Sequence, residues 1–228
     1  MMKSNKKITK ALIPVRAGSE RVRNKNIREF CGSTLLEIKI RQMQRIPELD
    51  GVVVNSDSDE MLDIARMCGA QCVKREEKYA LSSTLANDFY ENAAANFDAD
   101  VMVFANCTNP CISDETISKA IRMFSSAEFS MAGYDSLNTA HFVKDFLWLD
   151  GVAMNYNPDR QPRSQDLPDV LALNFAVNII PTIHMRDIRA VVGRKPCLFP
   201  ISEVESIDID TELDFEFARF VYERCHRG

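Results

Sequence analysis

Five basic side chains are concentrated in one loop near the N-terminus, directly after an apolar run at residues 11–15. They are Arg16, Arg21, Arg23, Lys25 and Arg28. Gly18 and Ser19 stand between the first two cations, and a glycine lets successive backbone N–H groups approach an anion closely. The loop matches neither G-x-x-x-x-G-K-[ST] nor G-x-G-x-x-G. The pattern therefore predicts another kind of phosphate site at the end of a buried strand, and the alternative is a solvated basic loop.

Two aspartates alternate with isoleucines near the C-terminus, in the string at residues 206–210. In an extended strand Asp208 and Asp210 face the same way, and two such carboxylates repel unless a cation lies beside them. Magnesium commonly binds one or two carboxylates together with substrate phosphates, so the string predicts a site for Mg²⁺ or another divalent cation. The alternative is a helix N-cap at Asp210 or Thr211 with Asp214 closing a capping box, and both interpretations are compatible.

Strands and helices alternate in the part of the sequence that would position these residues. Apolar runs typical of buried strands occur at residues 52–55 and 100–106, and capped helical patterns follow them. The alternation predicts a three-layer α/β fold, with a mostly parallel central sheet and helices on both faces. The polar loops at residues 16–25, 75–87 and 106–110 then share the carboxyl edge of the sheet, where ligands bind in such folds.

The alternation breaks after a strand predicted at residues 129–134. Residues 135–169 contain His141, Trp148 and scattered prolines, and we expect them to form a protruding arm of a single domain at residues 1–228. Residues 171–180 then return as a strand. The last helix starts near residue 211, with a predicted apolar stripe of Leu213, Phe217, Phe220 and Val221.

The composition excludes several classes of partner. A net charge of −5 argues against a nucleic-acid-binding protein, although the basic loop could still attract a nucleotide. No apolar run is long enough to span a membrane and no signal core follows the basic start, so we expect no membrane partner and a cytoplasmic location. The seven cysteines form no C-x-x-C motif. We expect buried free thiols, with Cys107 and Cys111 placed where they could be modified.

The string Pro14-Val-Arg16-Ala-Gly18-Ser19 with Lys25-Asn26-Ile27, then Phe30-x-Gly32 and Leu35-Leu36, resembles the N-terminal signature of the CMP-sialic acid synthetase family. These proteins are cytidylyltransferases that act on 2-keto sugar acids. The resemblance covers residues 8–221 and implies a fold of the nucleotide-diphospho-sugar transferase type. It also implies that one loop holds the phosphates and ribose of CTP through Arg16, Ala17, Gly18, Ser19, Lys25 and Asn26.

Three further stretches are similar to motifs of the same family, two of them with departures. Residues 207–214 resemble its metal-binding motif, which implies that Asp208 and Asp210 hold the metal. Residues 106–110 replace Gln-x-Thr-Ser-Pro, and residues 75–80 replace Arg-Pro-x-x-Leu-Ala. The resemblance implies nucleotide binding by Arg75, Asn87 and Asn106, although Asn87 stands where the family has a small hydroxyl residue. Whether the departures change the substrate or the activity stays open.

Residues 141–144 and 161–168 are similar to the family's sugar-binding and dimerisation segment. The likeness implies a homodimer and sugar binding by Lys144, Gln161 and Arg163. A planar guanidinium binds a carboxylate bidentately, so Arg163 is the candidate for the acid group, and the alternative is a surface ion pair. Asn174 matches a sugar-site Asn of the family, but Phe175 follows it where a Gly is usual.

The resemblance implies that CTP and a 2-keto sugar acid, a sialic-acid-like nonulosonate, react to give the CMP-sugar and pyrophosphate. Its catalytic residues would be Arg16, Lys25, Asp208 and Asp210. The general base stays open between a hydroxyl bound to the metal and Asp210. Two alternatives are a sugar 1-phosphate nucleotidyltransferase of the same fold, whose G-G-x-G-[ST]-R loop is missing here, and a non-catalytic nucleotide-binding homologue.

Overall fold

The structure is a computed structural model that describes residues 6–19 and 21–226, apart from the side chain of residue 226. The strands are β1 Thr9–Pro14, β2 Glu29–Phe30, β3 Ser33–Thr34, β4 Gly51–Ser56, β5 Gln71–Lys74, β6 Val101–Ala105, β7 Ser136–Val143, β8 Trp148–Leu149, β9 Val152–Ala153, β10 Val170–Pro181 and β11 Pro196–Pro200. The helices are α1 Leu35–Arg45, α2 Asp59–Met67, α3 Ala86–Ala95, α4 Asp114–Phe124, α5 Ala127–Met131, α6 Thr182–Ile188 and α7 Glu212–His226. Short 3₁₀ turns lie at Glu77–Tyr79, Pro158–Arg160 and Ser164–Asp166. Among these helices, none has the length and apolar character needed to cross a membrane.

Seven of the described strands form one sheet in the order β11-β7-β10-β6-β1-β4-β5. Neighbouring strands run parallel except at β10, which is antiparallel to both β6 and β7. The prediction of a mostly parallel sheet is therefore confirmed. The carboxyl ends of β1, β5 and β6 meet at one edge, which brings their following loops together as expected.

Two apolar cores lie on opposite faces of this sheet. The larger core joins the sheet to α1, α2, α4 and α7, and the smaller one joins it to α3 and α6. Residues of β1 alternate between the cores, since Ala11 and Ile13 belong to the larger and Leu12 to the smaller. An all-apolar strand has this property because both of its faces are covered by helices. The predicted three-layer arrangement is confirmed.

The strand predicted at residues 129–134 is wrong. Those residues begin in α5, where the Ser126 hydroxyl accepts from the Phe129 N–H at 3.1 Å as an N-cap. The next strand is β7, which begins at residue 136 and lies between β10 and β11 inside the main sheet. The predicted arm therefore starts after residue 143 instead of at 135. Residues 144–169 do leave the sheet, with the β8–β9 hairpin and two 3₁₀ turns.

The polarity of β7 explains why it looked like a loop. Ser136, Asn138 and Thr139 are 0% exposed, and they bond to one another and to β10. The Asn138 amide donates to Asn178 at 2.9 Å, and the Thr139 hydroxyl donates to Asn174 at 2.7 Å. A buried polar group is tolerated only when it has such partners. The sequence shows the polarity but does not show the partners.

The last two predicted elements need correction as well. Residues 206–210 do not form a regular strand, although the Ile209 N–H donates to the Thr108 carbonyl at 2.9 Å. Helix α7 buries Phe215 completely, against Phe30, while Leu213 and Phe217 are 78% and 53% exposed. The predicted stripe thus lies on the outer face of α7, because the opposite side of the helix packs against Phe30 and the larger core.

Candidate functional site

A cleft of about 610 Å³ opens at the carboxyl edge of the sheet. Its lining residues come from the loop after β1, the segment after β5, the start of α3, the loop after β6, and one residue of β10. Predicted site residues among them are Arg16, Ser19, Lys25, Asn26, Arg75 and Asn106. Parallel strands thus bring together polar groups that lie far apart in the sequence.

The loop after β1 forms one wall of the cleft. Arg16 donates from Nη1 to the Ala80 carbonyl at 2.8 Å, which ties this loop to the segment after β5. Gly18 has a φ of +73°, a conformation that favours glycine. The Ala17 N–H donates to an Asp57 carboxyl oxygen at 3.1 Å. Ala17 and Gly18 thus stand beside the cleft lining, next to Arg16 and Ser19.

Lys25 connects this loop to the segment that carries the two aspartates. Its Nζ donates to the Ile209 carbonyl at 2.5 Å, between Asp208 and Asp210 in the chain. Burial lowers the pKa of Lys25, and the charges of Asp210 and then Asp208 act in the opposite direction. The basic loop and the aspartate segment, separated by 184 positions, therefore meet at one point.

The two aspartates stand at the margin of the cleft, beside its lining residues. Asp210 pairs with Arg21 at 2.8 Å, and Asp208 accepts a hydrogen bond from the Thr108 hydroxyl. Asp208 is open to solvent on one side, yet burial raises the pKa of its carboxyl and Asp210 adds to the increase; Thr108 and Lys25 oppose it. The predicted capping box is present too, because Thr211 Oγ1 accepts from the Asp214 N–H at 3.2 Å.

Arg75 is the most enclosed cation of the cleft, with 5% of its surface exposed. Its guanidinium donates to the side chain and carbonyl of Asn55 at 2.6 and 2.8 Å and stacks 4.4 Å above the ring of Phe89. Burial lowers its pKa to about 10. Asn55 and Phe89 hold the guanidinium plane in place, which suits recognition of a planar or anionic ligand group.

Of the two remaining predicted nucleotide residues, one lines the cleft and the other does not. Asn106 lines the cleft and donates to the Phe175 carbonyl at 3.0 Å. Asn87 lies in the first turn of α3, outside the lining, and donates to the Arg189 carbonyl at 2.8 Å. Helix α3 begins at Ala86, and the side chain of Asn87 in its first turn points to the end of α6. The structure thus places Asn106 with the other candidates and Asn87 apart from them.

The predicted sugar residues lie outside this cleft within one chain. Lys144 donates to Asp169 at 2.5 Å and lines a second cleft beside β7. Arg163 is 73% exposed in its side chain and pairs with Asp166 at 2.7 Å, and Gln161 is exposed. Asn174 is buried, and its Nδ2 has no hydrogen-bond partner among the residues that the structure describes. This donor is buried, and Asn174 is not among the residues that line the cleft.

Two residues that the sequence analysis did not single out support the aspartate segment. Thr108 contacts Asp208, and Lys39 of α1 is 0% exposed, with its ammonium donating to the Asn109 carbonyl at 3.0 Å. The signal for Lys39 was available, because it follows Leu35 and Leu36 at helical spacing on the buried face.

Burial raises the pKa of the neighbouring Cys107 and Cys111 thiols to about 12, which opposes the predicted modification.

Comparison with known proteins shows what the chain is similar to. A family model described as cytidylyltransferase matches residues 10–166. The chain is 27% identical over 213 residues to N-acylneuraminate cytidylyltransferase of Oncorhynchus mykiss, covering 91% of this chain and 49% of that protein. It is 24% identical over 228 residues to pseudaminic acid cytidylyltransferase of Campylobacter jejuni subsp. jejuni serotype O:2, covering 95% and 97%. The chain thus spans about half the length of the first relative and nearly all of the second.

Solved structures share the fold. A CMP:2-keto-3-deoxy-manno-octonic acid synthetase complexed with CTP superposes with a TM-score of 0.71 at 12% identity, covering 95% of this chain and 99% of that one. The 4-diphosphocytidyl-2C-methyl-D-erythritol synthase of Anaerococcus prevotii gives a TM-score of 0.69 at 17% identity, covering 96% and 97%. At such low identity the likeness establishes the architecture and no more.

Proposed function

Because the chain belongs to the cytidylyltransferase family, whose model covers residues 10–166, we propose that it transfers a cytidylyl group from CTP to a 2-keto sugar acid. The products are a CMP-sugar and pyrophosphate, and the acceptor is a sialic-acid-like nonulosonate. One observation carries the proposal beyond the family. The basic loop and the aspartate segment meet at the cleft through the bond from Lys25 to the Ile209 carbonyl, as a triphosphate site with a metal would require.

The loop after β1 supplies positive charge for the triphosphate. Arg16 and Lys25 line the cleft and would neutralise phosphate oxygens, while the backbone of residues 17–19 approaches them closely. Asn26 is the candidate for the ribose. Arg75, which stacks on Phe89, would bind the nucleotide from the opposite wall, together with Asn106. A bound triphosphate would also favour the charged form of Lys25, whose pKa burial lowers.

The aspartate segment fits a divalent cation. Asp208 and Asp210 offer hard oxygen donors, and burial, with a smaller contribution from the charge of Asp210, raises the pKa of Asp208. Among the described residues, no group of three or more His, Cys, Asp or Glu side chains could hold a metal ion. Two carboxylates and substrate phosphates would therefore form the ligand set, as is usual for Mg²⁺. When bound, the ion supplies positive charge that stabilises the phosphates during transfer.

Transfer itself depends on position. The anomeric hydroxyl of the acceptor attacks the α-phosphorus of CTP in line with the departing pyrophosphate, a reaction that relies on orientation and charge neutralisation. Within one chain the candidate for the acceptor is Asn174, whose buried Nδ2 has no partner among the described residues. The cations Lys144 and Arg163 stand outside the cleft, so they would reach an acceptor carboxylate only in a partner's site.

We therefore include a homodimer in the proposal. The arm at residues 144–169 exposes Trp148, Leu149, Val152 and Met154 at 53–67% of their surface. A two-stranded hairpin cannot bury such residues by itself, and exposed apolar patches mark contact sites. A second copy of the chain is the commonest partner for such a patch. It would bring Arg163 of one subunit toward the cleft of the other.

The proposal is tested by measuring pyrophosphate release from CTP with a panel of eight-carbon and nine-carbon 2-keto acids. We expect release with CTP and at least one acid, little release with ATP, GTP or UTP, and none with sugar 1-phosphates. Release with a sugar 1-phosphate would instead favour the nucleotidyltransferase alternative. CTP binding by calorimetry without release with any acceptor would favour a non-catalytic nucleotide-binding protein.

A further inference from the structure

Phe175 holds a backbone conformation that phenylalanine rarely adopts. Its φ is +55°, inside β10 at the point where pairing with β7 shifts register between Leu173 and Asn178. A residue with a side chain is destabilised in this left-handed conformation. A bulky residue there is an outlier that the surrounding structure must hold in place. Phe175 also lines the candidate cleft, so the strain lies at the site.

Side-chain amides fix the peptide group that follows Phe175. Its carbonyl accepts from the Nδ2 groups of Asn106 at 3.0 Å and Asn178 at 3.4 Å. The N–H of Ala176, in the same peptide group, donates to Oδ1 of Asn174 at 3.1 Å. Asn174 and Asn178 are 7% and 0% exposed. Rotation of this peptide group would leave buried polar atoms without partners, so the bulge is rigid. The rigid bulge fixes the direction of the Phe175 side chain.

The ring of Phe175 is part of a stiff apolar wall. It packs against the smaller core, which contains Phe104, and Phe89 and Tyr90 pack against the same core. All four residues line the cleft. An aromatic side chain has few rotatable bonds, so this wall changes shape less readily than one built from flexible side chains. The β10 side of the cleft therefore has a fixed outline.

The order of the strands places Phe175 across β6 from most of the nucleotide candidates. The nucleotide candidates Arg16, Lys25 and Arg75 follow β1 and β5, which lie on one side of β6, while β10 lies on the other side. The bond between Asn106, just after β6, and the Phe175 carbonyl marks the border. A nucleotide held at the ends of β1 and β5 leaves the end of β10 for the second substrate.

We propose that Phe175 is a specificity-determining residue that limits the space for the acceptor at the β10 side of the cleft. The inference rests on the proposed function for the identity of the acceptor as a 2-keto sugar acid. A rigid apolar wall rejects a substituent that is too large, by about tenfold or more in kcat/KM. Removal of the Phe175 ring should matter little for the affinity of CTP, because Arg16, Lys25 and Arg75 lie across β6 and Phe89, which holds Arg75, stays in place.

The test uses a 2-keto sugar acid and analogues that each carry one enlarged substituent at a different position. Pyrophosphate release is measured with saturating CTP and Mg²⁺ for the wild type, Phe175→Ala and Phe175→Gly. We expect the wild type to reject enlargement at one position by about tenfold or more, and both variants to remove most of that penalty. The KM for CTP should stay within about twofold. Glycine tolerates the positive φ, so the second variant keeps the backbone of the bulge.

Phe217→Ala is the matched control, because it removes an aromatic ring from the exposed face of α7, where 53% of Phe217 is exposed; it should keep every penalty. Unchanged penalties at all positions in folded Phe175 variants would overturn the assignment. So would a loss that appears in the KM for CTP, since that indicates a structural role. If the wild type releases pyrophosphate with no acid of the panel, the proposed function itself fails, which is a different result.

Discussion

Asp210 is the residue at which the metal and capping interpretations are separable. Its carboxylate pairs with Arg21 at 2.8 Å, whereas the capping box of α7 uses Thr211 and Asp214. We expect Asp210→Asn to lower turnover about 100-fold or more, the equivalent of about 3 kcal/mol in the barrier, because half of the carboxylate pair is lost. Stability should change by less than about 1 kcal/mol, since the ion pair with Arg21 is exposed.

The measurement for Asp210→Asn is pyrophosphate release across a Mg²⁺ titration, with thermal unfolding alongside. Thr211→Ala is the control, because it weakens the cap of α7 by about 1 kcal/mol and leaves both carboxylates in place. Full activity of Asp210→Asn, or of the wild type in excess chelator, contradicts the metal assignment.

Arg16 and Lys25 differ from Arg23 in the same loop by their position. The first two line the cleft, and Arg23 is exposed outside its lining. We expect Arg16→Ala and Lys25→Ala to lower kcat/KM for CTP by about 10-fold to 100-fold, as the loss of a charge-assisted phosphate contact predicts. Arg23→Ala should stay within about twofold. Initial rates over a range of CTP concentrations decide, and a wild-type value for either cleft variant removes that residue from the phosphate site.

At the scale of the elements, Lys39 joins α1 to the loop after β6. Its buried ammonium donates to Gln42 at 2.7 Å and to the Asn109 carbonyl, and Asn109 donates in turn to the Ile207 carbonyl at 3.1 Å. This chain of bonds reaches the segment that carries Asp208. The loop after β6 is therefore held from the inside of the protein, behind the cleft.

The buried ammonium of Lys39 predicts a pH dependence of stability. Burial lowers its pKa from 10.5 to about 8, so between these values the unfolded chain binds the proton and the folded chain does not. Stability therefore rises with pH through this window, by about 1.4 kcal/mol per pH unit at most. Below about pH 8 the penalty is complete and constant.

Lys39→Met isolates this contribution, because the nearby thiols of Cys107 and Cys111 titrate in both proteins and cancel in the difference. Urea unfolding at pH 7, 8, 9 and 10 should show the wild type gaining stability relative to Lys39→Met only above about pH 8. If the difference in unfolding free energy between the two proteins stays constant from pH 7 to 10, the lowered pKa of Lys39 is contradicted.

Local signals in the sequence were sufficient for the elements that they control. Thr34, Ser58 and Ser113 cap α1, α2 and α4 as their types predict, and each hydroxyl accepts a backbone N–H of the first turn. The all-apolar strands β4 and β6 were predicted for the same reason, since both faces of a central parallel strand are covered. Such features depend on residues that are neighbours in the chain.

Features decided by distant partners were missed or misplaced. β7 is polar, and its burial depends on Asn174 and Asn178 across the sheet. The buried face of α7 is the one that packs against Phe30. The side-chain amide of Asn87 donates to the Arg189 carbonyl. The cleft residues Arg16, Lys25 and Arg75 could be predicted because each follows a parallel strand, and the loops after such strands lie at the carboxyl edge of the sheet. The orientation of Phe175 could not, because no local pattern indicates a positive φ.

At the scale of the whole molecule, the arm raises the question of which subunit completes the site. Arg163 pairs with Asp166, its side chain is 73% exposed, and it is not among the residues that line the cleft of its own chain. If it binds the acceptor carboxylate, it does so from a partner subunit. We expect a dimer by sedimentation at working concentration, and a strict monomer would refute the role of the arm.

The decisive experiment mixes two inactive chains, Asp210→Asn and Arg163→Ala, after partial unfolding and refolding together. In a mixed dimer one site has the intact Asp210 of one chain and the intact Arg163 of the other, so activity should return to about a quarter of the wild-type value with random pairing. Mixing Asp210→Asn with Arg16→Ala is the control, because both changes affect residues of the same chain's site and every mixed dimer keeps two defective sites. Rescue in the first mixture alone places Arg163 across the interface. A dimer without rescue in either mixture leaves the interface standing and returns Arg163 to its own subunit's site or to the surface, where it pairs with Asp166.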